Sequence, residues 1–456
     1  MTVLQIVWLR RDLRLADQPA FRAAATQGPV IPVYVLDDDR AGARKLGGAS
    51  RWWLHGSLRA LEKDLKAHGL RLILRQGDSV RHLAEIAGET GGVVHALHHY
   101  EPWWREAEEA LAKEVELHVH DGNYLAPPGT VKTGSGAPFK IYTPFARALT
   151  RELPLRDPLE VPSFQVPERW PKSDDLDAWR LLPTRPDWAA GFRSAWKPGE
   201  AAARERIDHL LDIVDDYDED RNRPSLDGSS RLSPHLHWGE ISPTQVWHAL
   251  ESVHGKGADT YRGEIIWRDY AQNVIYQSPR YPEANYRDSF DRFPWRDPFK
   301  DKAAAQDLKA WKQGRTGYPI VDAGMRQLWS IGWMHNRVRM ITASFLIKHL
   351  LIDWRHGERW FWDTLIDADY GNNGVNWQWI SGSGVDSSMF PRIMAPLTQS
   401  AKFDAADYIR EWVPELANLS DAEIHDPQRR PGGYPEKRIG HKEARERALA
   451  AYRGSR

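Results

Sequence analysis

Short apolar runs alternate with amphipathic stretches along the first 130 residues. Helical spacing of apolar positions marks Arg51–His68 and Val80–Ala87. Strands alternating with helices predict an α/β domain built on a doubly wound parallel sheet, with helices on both faces. No GxGxxG motif follows any predicted strand, so the usual dinucleotide fingerprint is absent. The predicted strands are rich in Val, Ile and Leu and bounded by charged residues, Gly or Pro: Leu4–Leu9, Val30–Leu36, Leu70–Leu74 and Val93–Leu97.

The pattern changes twice further along the chain. Between about residues 151 and 198 the periodicity weakens among many Pro, Asp and Trp, which indicates a long surface linker. The tail from about Asn418 is polar and basic, and we expect it to be loosely ordered. We therefore predict an α/β domain over residues 1–130, an interdomain linker over 131–199 and an all-α domain over 200–456. Helical patterns in that last region cover Ala201–Val214, Pro243–His254, Tyr261–Tyr276, Gly324–Ile331, Arg337–Leu351 and Glu358–Ile366.

Composition narrows the classes of protein and site. Of the 456 residues 41% are hydrophobic and 27% charged, as in a soluble globular protein, and no apolar run is long enough for a membrane span. The absence of cysteine excludes disulfides, thiolate metal sites and a cysteine nucleophile, and with no signal sequence we expect a cytoplasmic location. The net charge of −1 means that binding to DNA would need a local basic surface. The 22 tryptophans are the outlier, because so many suit stacking on flat rings or electron transfer as well as core packing.

Two helical segments carry unusual combinations of side chains. Glu264, Trp267 and Arg268 lie three and four residues apart and so share a helical face. The alternative interpretation is a surface Glu–Arg pair beside a half-buried Trp. In the second segment, residues 332–340, the amide of Asn336, the guanidinium of Arg339 and the thioether of Met340 share a helical face. This combination suits the wall of a flat ligand with polar edges. The alternative there is an Asn N-cap before an ordinary helix.

Two further segments combine polar side chains with Trp or with turn residues. Residues 367–379 hold two carboxylates, four side-chain amides and two Trp, too polar for a core and too aromatic for a plain loop. A metal site is the alternative, although no His with ligand spacing accompanies the carboxylates. Residues 227–234 form a turn rich in hydroxyl groups that opens a helix, which suits a diphosphate. An ordinary helix cap explains that turn equally well.

These segments resemble the photolyase/cryptochrome flavoproteins, most closely the class I cyclobutane pyrimidine dimer photolyases. The motifs TGYPIVDAGMRQL, GWMHNRVRM, LIDWRHGERWFWDTLIDAD and NWQWISGSG occur in the family's order, and VWLRRDLRLADQPA resembles its opening strand. The resemblance covers nearly the whole chain. It implies that the helical domain binds FAD, and that excited reduced FAD donates an electron that opens the cyclobutane ring of a DNA lesion and then returns.

The resemblance also implies which residues hold FAD. Arg339 with Asp367 would form an ion pair over the flavin ring, and Asp369 would anchor it. Asn373 matches the position facing flavin N5, although a different loop shape would put Asn372 there instead. The remaining matches to cofactor contacts are Tyr217, Ser229, Ser230, Arg231, Leu232, Ser233, Arg268 and Asn336.

The lesion pocket and the electron chain follow from the same resemblance. Glu264 would bind the carbonyl edge of the flipped dimer and stabilise the transferred charge, and Asn336 would add a hydrogen bond. Trp267 and Trp379 would form the apolar walls and Met340 the floor. The matches to DNA contacts are Arg221, Arg337 and Gln399, and the matches to a chain that rereduces the flavin are Trp377, Trp354 and Trp295.

Several alternatives stay open at the level of the sequence. The resemblance implies an antenna chromophore in the first domain, either methenyltetrahydrofolate or a deazaflavin; the Trp103–Trp104 pair would fill its site or flank a ring. A cryptochrome-type light receptor is the main rival function. A six-four photolyase would need a catalytic His pair, and His335 has no matching second His. A plain interaction module fits the polar-aromatic clusters poorly. We expect a monomer that binds DNA containing pyrimidine dimers.

Overall fold

A five-stranded parallel sheet forms the core of the first part of the chain. The computed structural model describes residues 3–154 and 156–454. The strands lie in the order β3-β2-β1-β4-β5, and every neighbouring pair is parallel. The α/β fold predicted from the sequence is therefore confirmed. The strands are β1 Gln5–Leu9, β2 Val30–Leu36, β3 Ile73–Gln76, β4 Val93–Leu97 and β5 Leu117–His120.

The central strands match the sequence expectation and the outer two do not. Every residue of β1 and β2 is buried, as expected where helices cover both faces of a parallel sheet. β3 begins at Ile73 rather than Leu70, because the Leu70 amide donates to the Leu65 carbonyl and closes the preceding helix. β5 was not predicted: its sequence LHVH is half polar, since it is an edge strand that is only partly buried.

The rest of the chain is mostly helical. The helices in chain order are α1 Pro19–Gln27, α2 Asp38–Ala41, α3 Gly48–Ala67, α4 Ser79–Thr90, α5 Pro102–Leu111, α6 Tyr142–Thr150, α7 Ala190–Ala195, α8 Glu200–Ile213, α9 Tyr217–Asp220, α10 Ser233–Trp238, α11 Pro243–Ala249, α12 Lys256–Gln277, α13 Lys302–Lys312, α14 Pro319–Ile331, α15 Asn336–Ser344, α16 Trp354–Thr364, α17 Tyr370–Ser381, α18 Pro396–Lys402, α19 Ala406–Trp412, α20 Asp421–Ile424 and α21 His441–Gly454.

The chain forms two compact units. The first comprises residues 1–188, 195–212 and 230–279, and it contains the sheet together with α12. The second comprises residues 189–194, 213–229 and 280–456, and it contains α13 to α21. The division expected from the sequence, two domains joined by a linker, stays a prediction.

The C-terminal tail is ordered, so the expectation of a loosely ordered tail was wrong. The buried Tyr434 donates its hydroxyl proton to Asp322 at 2.6 Å, and the Tyr318 hydroxyl donates to the Ile439 carbonyl at 2.8 Å. α21 then buries Ala444 and Ala448 against the second unit. The tail is held by a few widely spaced buried residues. They are too few to change its polar composition, so the sequence pattern gave no sign of them.

One predicted helix changes its winding. The pattern predicted a single helix over Arg337–Leu351, whereas α15 ends at Ser344 and continues as a π-helical turn over Phe345–His349. Lys348 on this turn is fully buried and donates to the carbonyls of Met389 at 2.8 Å and Arg392 at 3.0 Å. Burial lowers the pKa of Lys348 to about 7. The side-chain nitrogen of Lys348 thereby ties this turn to the segment that follows α17.

Candidate active site

In the first unit, one face of α12 carries the residues singled out in the sequence. Glu264, Trp267 and Arg268 are all half-buried there. The Arg268 guanidinium donates to the Asn123 carbonyl at 2.6 Å and to the Leu236 carbonyl at 3.2 Å, and it lies 4.6 Å from the ring centroid of Tyr124. Arg268 therefore joins α12 to two other segments of this unit, and its contact with a diphosphate stays a prediction.

A residue that sequence reasoning missed lies on the same face. Tyr142, the first residue of α6, packs its ring against Trp267 with centroids 4.8 Å apart and planes at 54°. Its hydroxyl donates to the Gly263 carbonyl at 2.8 Å. Burial raises the pKa of Tyr142, and the charge of Glu264 raises it further. The only signal in the sequence was an aromatic residue at the start of a short helix.

The opposite side of α12 is tied to the chain before α6. Asp269 accepts from the Ala126 amide at 3.1 Å, and Asn273 accepts from the Gly129 amide at 2.8 Å. Asp269 is fully buried, and burial raises its pKa to about 7 against the opposing influence of Arg268. Its Oδ2 atom is buried and lacks a hydrogen-bond partner among the described residues. This carboxyl group is therefore close to half protonated at neutral pH.

The backbone turns tightly in the hydroxyl-rich segment at residues 229–233. A side chain on Gly228 would come within 2.8 Å of the Asp220 backbone, so only glycine fits there. Arg231 adopts a positive φ of 52°. In the first unit, Tyr261 donates its hydroxyl proton to Ser230 Oγ at 3.0 Å, and the Ser230 carbonyl accepts from Arg206 at 2.8 Å. Of the other sequence-predicted residues here, Leu232 and Tyr217 are buried, Ser229 is half-buried and Ser233 is exposed.

In the second unit, charged and amide side chains converge around the start of α17. Arg339 donates both terminal nitrogens to Asp367, at 3.1 and 2.8 Å, and the carboxylate is almost fully buried. Such a bidentate pair fixes the orientation of both groups. Asp369 is the N-cap of α17 and accepts from the Asn372 amide at 2.6 Å. The three predicted flavin contacts Arg339, Asp367 and Asp369 therefore lie on rigid local structure.

Residues 370–381 are helical rather than a loop, which bears on the two candidate amides. The Asn372 side chain donates to Asp369 at 3.0 Å. Asn373 is buried and donates its side-chain amide to the Glu358 carboxylate at 2.9 Å and to the Glu358 carbonyl at 3.1 Å. Asn373 and Trp377 are four residues apart on one face of α17. Asn373 keeps an amide oxygen for a further partner, so it stays our prediction for the flavin contact.

The predicted electron-transfer tryptophans have different surroundings. Trp377 is buried, and a side chain on Gly357 would lie 2.1 Å from its ring, so Gly357 makes room for it. Its ring neighbours are Trp311 at 6.3 Å and Phe361 at 5.0 Å, and sequence reasoning gave Trp311 no role. Trp354 is buried and donates its indole N–H to Asn285 at 2.9 Å. Trp295 is half-buried, 4.2 Å from Phe293 by centroids.

Some of the predicted lesion and DNA residues of the second unit lie together around the start of α15. Arg337 donates to Met340 Sδ at 3.6 Å and lies 4.6 Å from the ring centroid of Phe403, one turn after Gln399 on the same segment. Burial lowers the pKa of Arg337, and the nearby charge of Arg221 lowers it further. Asn336 is exposed, and Met340 and Trp379 are half-buried. A basic patch beside polar and apolar groups results.

His335 precedes this patch and is nearly buried. It is the N-cap of α15, and its ring accepts from the Arg337 amide at 3.2 Å. Burial and the charges of Arg221, Arg337 and Arg339 lower the pKa of His335 to about 3. The imidazole is therefore neutral at physiological pH. Asn336, which the alternative interpretation made the N-cap, is instead the first helical residue.

The first unit also contains a cavity beside the Trp103–Trp104 pair. Both indoles line it, together with Arg10, Tyr34 and Asp38. The indole of Trp104 meets Trp8 edge to face at 6.0 Å. The cavity volume is about 30 Å³, room for about two water molecules. Its lining combines indole and phenol rings with charged groups, a chemistry that suits a flat ring with polar edges.

Neither a metal-binding cluster nor a membrane-spanning helix is found in the described part of the chain. Residues 3–154 and 156–454 contain no group of three or more His, Asp or Glu arranged to hold a metal ion. No helix within those residues is both long and apolar enough to cross a membrane.

Two known families match most of the chain. Residues 5–164 match the family described as DNA photolyase, and residues 261–454 match the FAD binding domain of DNA photolyase. A deoxyribodipyrimidine photo-lyase of Agrobacterium fabrum is 46% identical, over 98% of this chain and 97% of the relative. Cryptochrome-2 of Arabidopsis thaliana is 33% identical, over 92% of this chain and 72% of the relative.

A solved structure shares the fold throughout. It is described as a bacterial class III photolyase from Agrobacterium tumefaciens, and it superposes with a TM-score of 0.93 at 46% identity, covering 100% of this chain and 98% of the other. The class I assignment expected from the sequence is therefore not confirmed. The matched domain does confirm the expectation of an FAD-binding region.

Proposed function

Because the chain belongs to the photolyase/cryptochrome family, we propose that it is a light-dependent repair enzyme that splits cyclobutane pyrimidine dimers in DNA. The observation that carries this proposal is the Glu264–Trp267 face of α12. A carboxylate and an indole lie there one helical turn apart and half-buried. A pyrimidine dimer offers both a carbonyl and N–H edge and two apolar faces, which such a pair is suited to bind.

The residues that would hold FAD have suitable chemistry. Hydroxyl groups on a tight turn at Ser229 and Ser233 suit phosphate oxygens. Arg339 and Asp367 form a fixed donor and acceptor pair, and the Asn373 amide oxygen is an acceptor held in place by Glu358. When bound in its reduced form, FAD supplies the electron that light sends to the dimer. The chain's own part is to orient the ring and exclude water.

The lesion residues divide the work of binding. Enzymes that act on a base, photolyases among them, take the target nucleotide out of the duplex. Trp267 and Trp379 would stack on the flipped dimer, Met340 would pack below it, and Asn336 and Glu264 would hydrogen-bond its edges. Base–aromatic stacking contributes about 1–3 kcal/mol for each base.

The DNA contacts would be basic and amide side chains around the lesion. Arg221 and Arg337 would bind phosphates, so that affinity falls with salt, and Gln399 would add a polar contact. The location of Arg221 and Arg337 on one patch of the second unit supports the assignment of these two arginines. Because the net charge of the whole chain is only −1, attraction to DNA requires such a local patch.

Two rival functions are less consistent with the site. A six-four photolyase needs a histidine that can donate a proton, whereas the pKa of His335 is lowered to about 3 and its ring caps α15. A cryptochrome-type receptor does not need a pocket that grips a lesion. Glu264, Trp267 and Met340 all remain in this chain, which favours repair.

The test is illumination of the purified protein with defined lesions. The absorption spectrum first establishes that FAD is bound, and any second chromophore is identified as a folate or a deazaflavin by its own band. The flavin is then reduced, and the protein is illuminated with one oligonucleotide containing a thymine dimer and another containing a six-four photoproduct. We expect loss of the dimer alone, and only in the light. Loss of neither lesion with reduced FAD bound would contradict the proposal.

A further inference from the structure

We propose that Tyr142 is a positioning residue for lesion recognition, acting by holding the Trp267 indole in the orientation that receives the dimer. This inference rests on the proposed function, because it assigns Trp267 to the lesion. Tyr142 is 121 positions from Gly263 along the chain, and no motif connects them. Only the fold places its ring on the face of α12 that carries Glu264 and Trp267.

Three contacts tie Tyr142 to consecutive turns of that face. Its hydroxyl donates to the Gly263 carbonyl at 2.8 Å, directly before Glu264 in the chain. Its ring lies 4.8 Å from Trp267 and 5.6 Å from Tyr270 by centroids. A ring held by a hydrogen bond at one end and by two aromatic neighbours has little rotational freedom. It therefore restricts the orientation of the Trp267 indole that packs against it.

The backbone just before Tyr142 is anchored to the same helix. Tyr270 donates its hydroxyl proton to the Lys140 carbonyl at 2.9 Å, and Gln277 donates to the Phe139 carbonyl at 3.1 Å. These bonds fix where α6 begins relative to α12. Tyr142 consequently reaches Trp267 from a rigid support, and its hydroxyl stays protonated at physiological pH because burial and the Glu264 charge raise its pKa.

A neighbouring residue on α6 provides a matched control. Phe145 is buried and packs against Tyr270 at 5.7 Å and Phe139 at 6.2 Å. It belongs to the same packing between α6 and α12, but its ring packs on these two residues instead of on Trp267. Loss of Phe145 loosens this packing generally, whereas loss of Tyr142 removes the support of one indole.

The experiment measures affinity and repair separately with the FAD-containing protein. The dissociation constant for a duplex with one thymine dimer, and that for the same undamaged duplex, are measured for Tyr142→Leu, Tyr142→Phe, Phe145→Leu and Trp267→Leu. We expect Tyr142→Leu to weaken dimer binding about two- to tenfold, the range of an aromatic pair of about 0.5–1.5 kcal/mol. Tyr142→Phe keeps the ring and should restore affinity to within about twofold. At saturating dimer, the repair yield per absorbed photon should change little.

The double variant separates an action through Trp267 from an independent one. If Tyr142 acts through Trp267, Tyr142→Leu adds no further loss of affinity to Trp267→Leu. Additive losses, or an equal loss in Phe145→Leu, would overturn the inference, as would unchanged binding by Tyr142→Leu. Failure of the proposed function looks different, because wild type and Trp267→Leu would then bind damaged and undamaged duplexes equally.

Discussion

The buried carboxyl group of Asp269 makes the stability of the protein depend on pH in a predictable way. Burial raises its pKa from 3.8 to about 7, and each tenfold change in proton affinity corresponds to about 1.4 kcal/mol. The folded protein therefore keeps a proton that the unfolded chain loses above about pH 4. By linkage, this group lowers stability as pH rises from about 4 to 7, by about 4 kcal/mol in total. Asp269→Asn removes that pH-dependent loss.

The substitution is conservative in shape. The introduced amide would keep an oxygen to accept from the Ala126 amide, the bond that Asp269 Oδ1 makes in the native chain. We expect the variant to match wild type in unfolding free energy near pH 4. Between pH 5 and pH 8 its advantage should grow by about 3 kcal/mol. Urea unfolding followed by circular dichroism at a series of pH values measures this difference.

The matched control lies on the same helix. Asp259 is exposed on α12, with a side chain that is 76% accessible beside Arg262, so Asp259→Asn should change stability little at any pH. An advantage of Asp269→Asn that is the same at pH 5 and pH 8 would refute the reasoning. So would a variant less stable than wild type at pH 8.

Three further substitutions separate the roles assigned to other residues. Glu264→Ala should lower the dimer repair yield while FAD stays bound, as judged by absorbance; loss of flavin together with repair would argue for a structural role. Trp354→Phe should slow photoreduction of oxidised flavin yet spare repair by prereduced protein, and equal loss of both would remove Trp354 from the electron chain. Asp322→Ala should cost about 3–5 kcal/mol, because the carboxylate accepts from the Thr316 and Gly317 amides and the Tyr434 hydroxyl. Limited proteolysis should then release the chain after Tyr434 first; unchanged resistance would show that the tail is held elsewhere.

Local patterns were sufficient for the centre of the sheet and for the residues on single helices. β1 and β2 are continuous apolar runs, and such runs have few alternatives to a buried strand. Glu264 and Trp267 share a face by helical spacing alone. β5 could not be found this way, because an edge strand that is partly exposed keeps polar residues and loses the signal.

Contacts between distant segments could not be predicted from the sequence pattern. Tyr142 reaches α12 through packing of α6, and Trp311 reaches Trp377 from α13. The tail is held by Tyr434 and Asp322, which are 112 positions apart. Each of these contacts depends on tertiary structure, and none leaves a periodic trace along the chain. The resemblance to a family supplied motif residues but not these supporting ones.

If repair is catalytic and the flavin is not consumed by oxidation, the electron given to the dimer must return to the flavin. This return is measured by counting the dimers split per molecule of bound FAD under blue light, after prereduction and removal of excess reductant. We expect many dimers to be split for each FAD, with the flavin spectrum still that of the reduced form at the end. One dimer or fewer per FAD, with flavin oxidised in step, would show that the electron does not return.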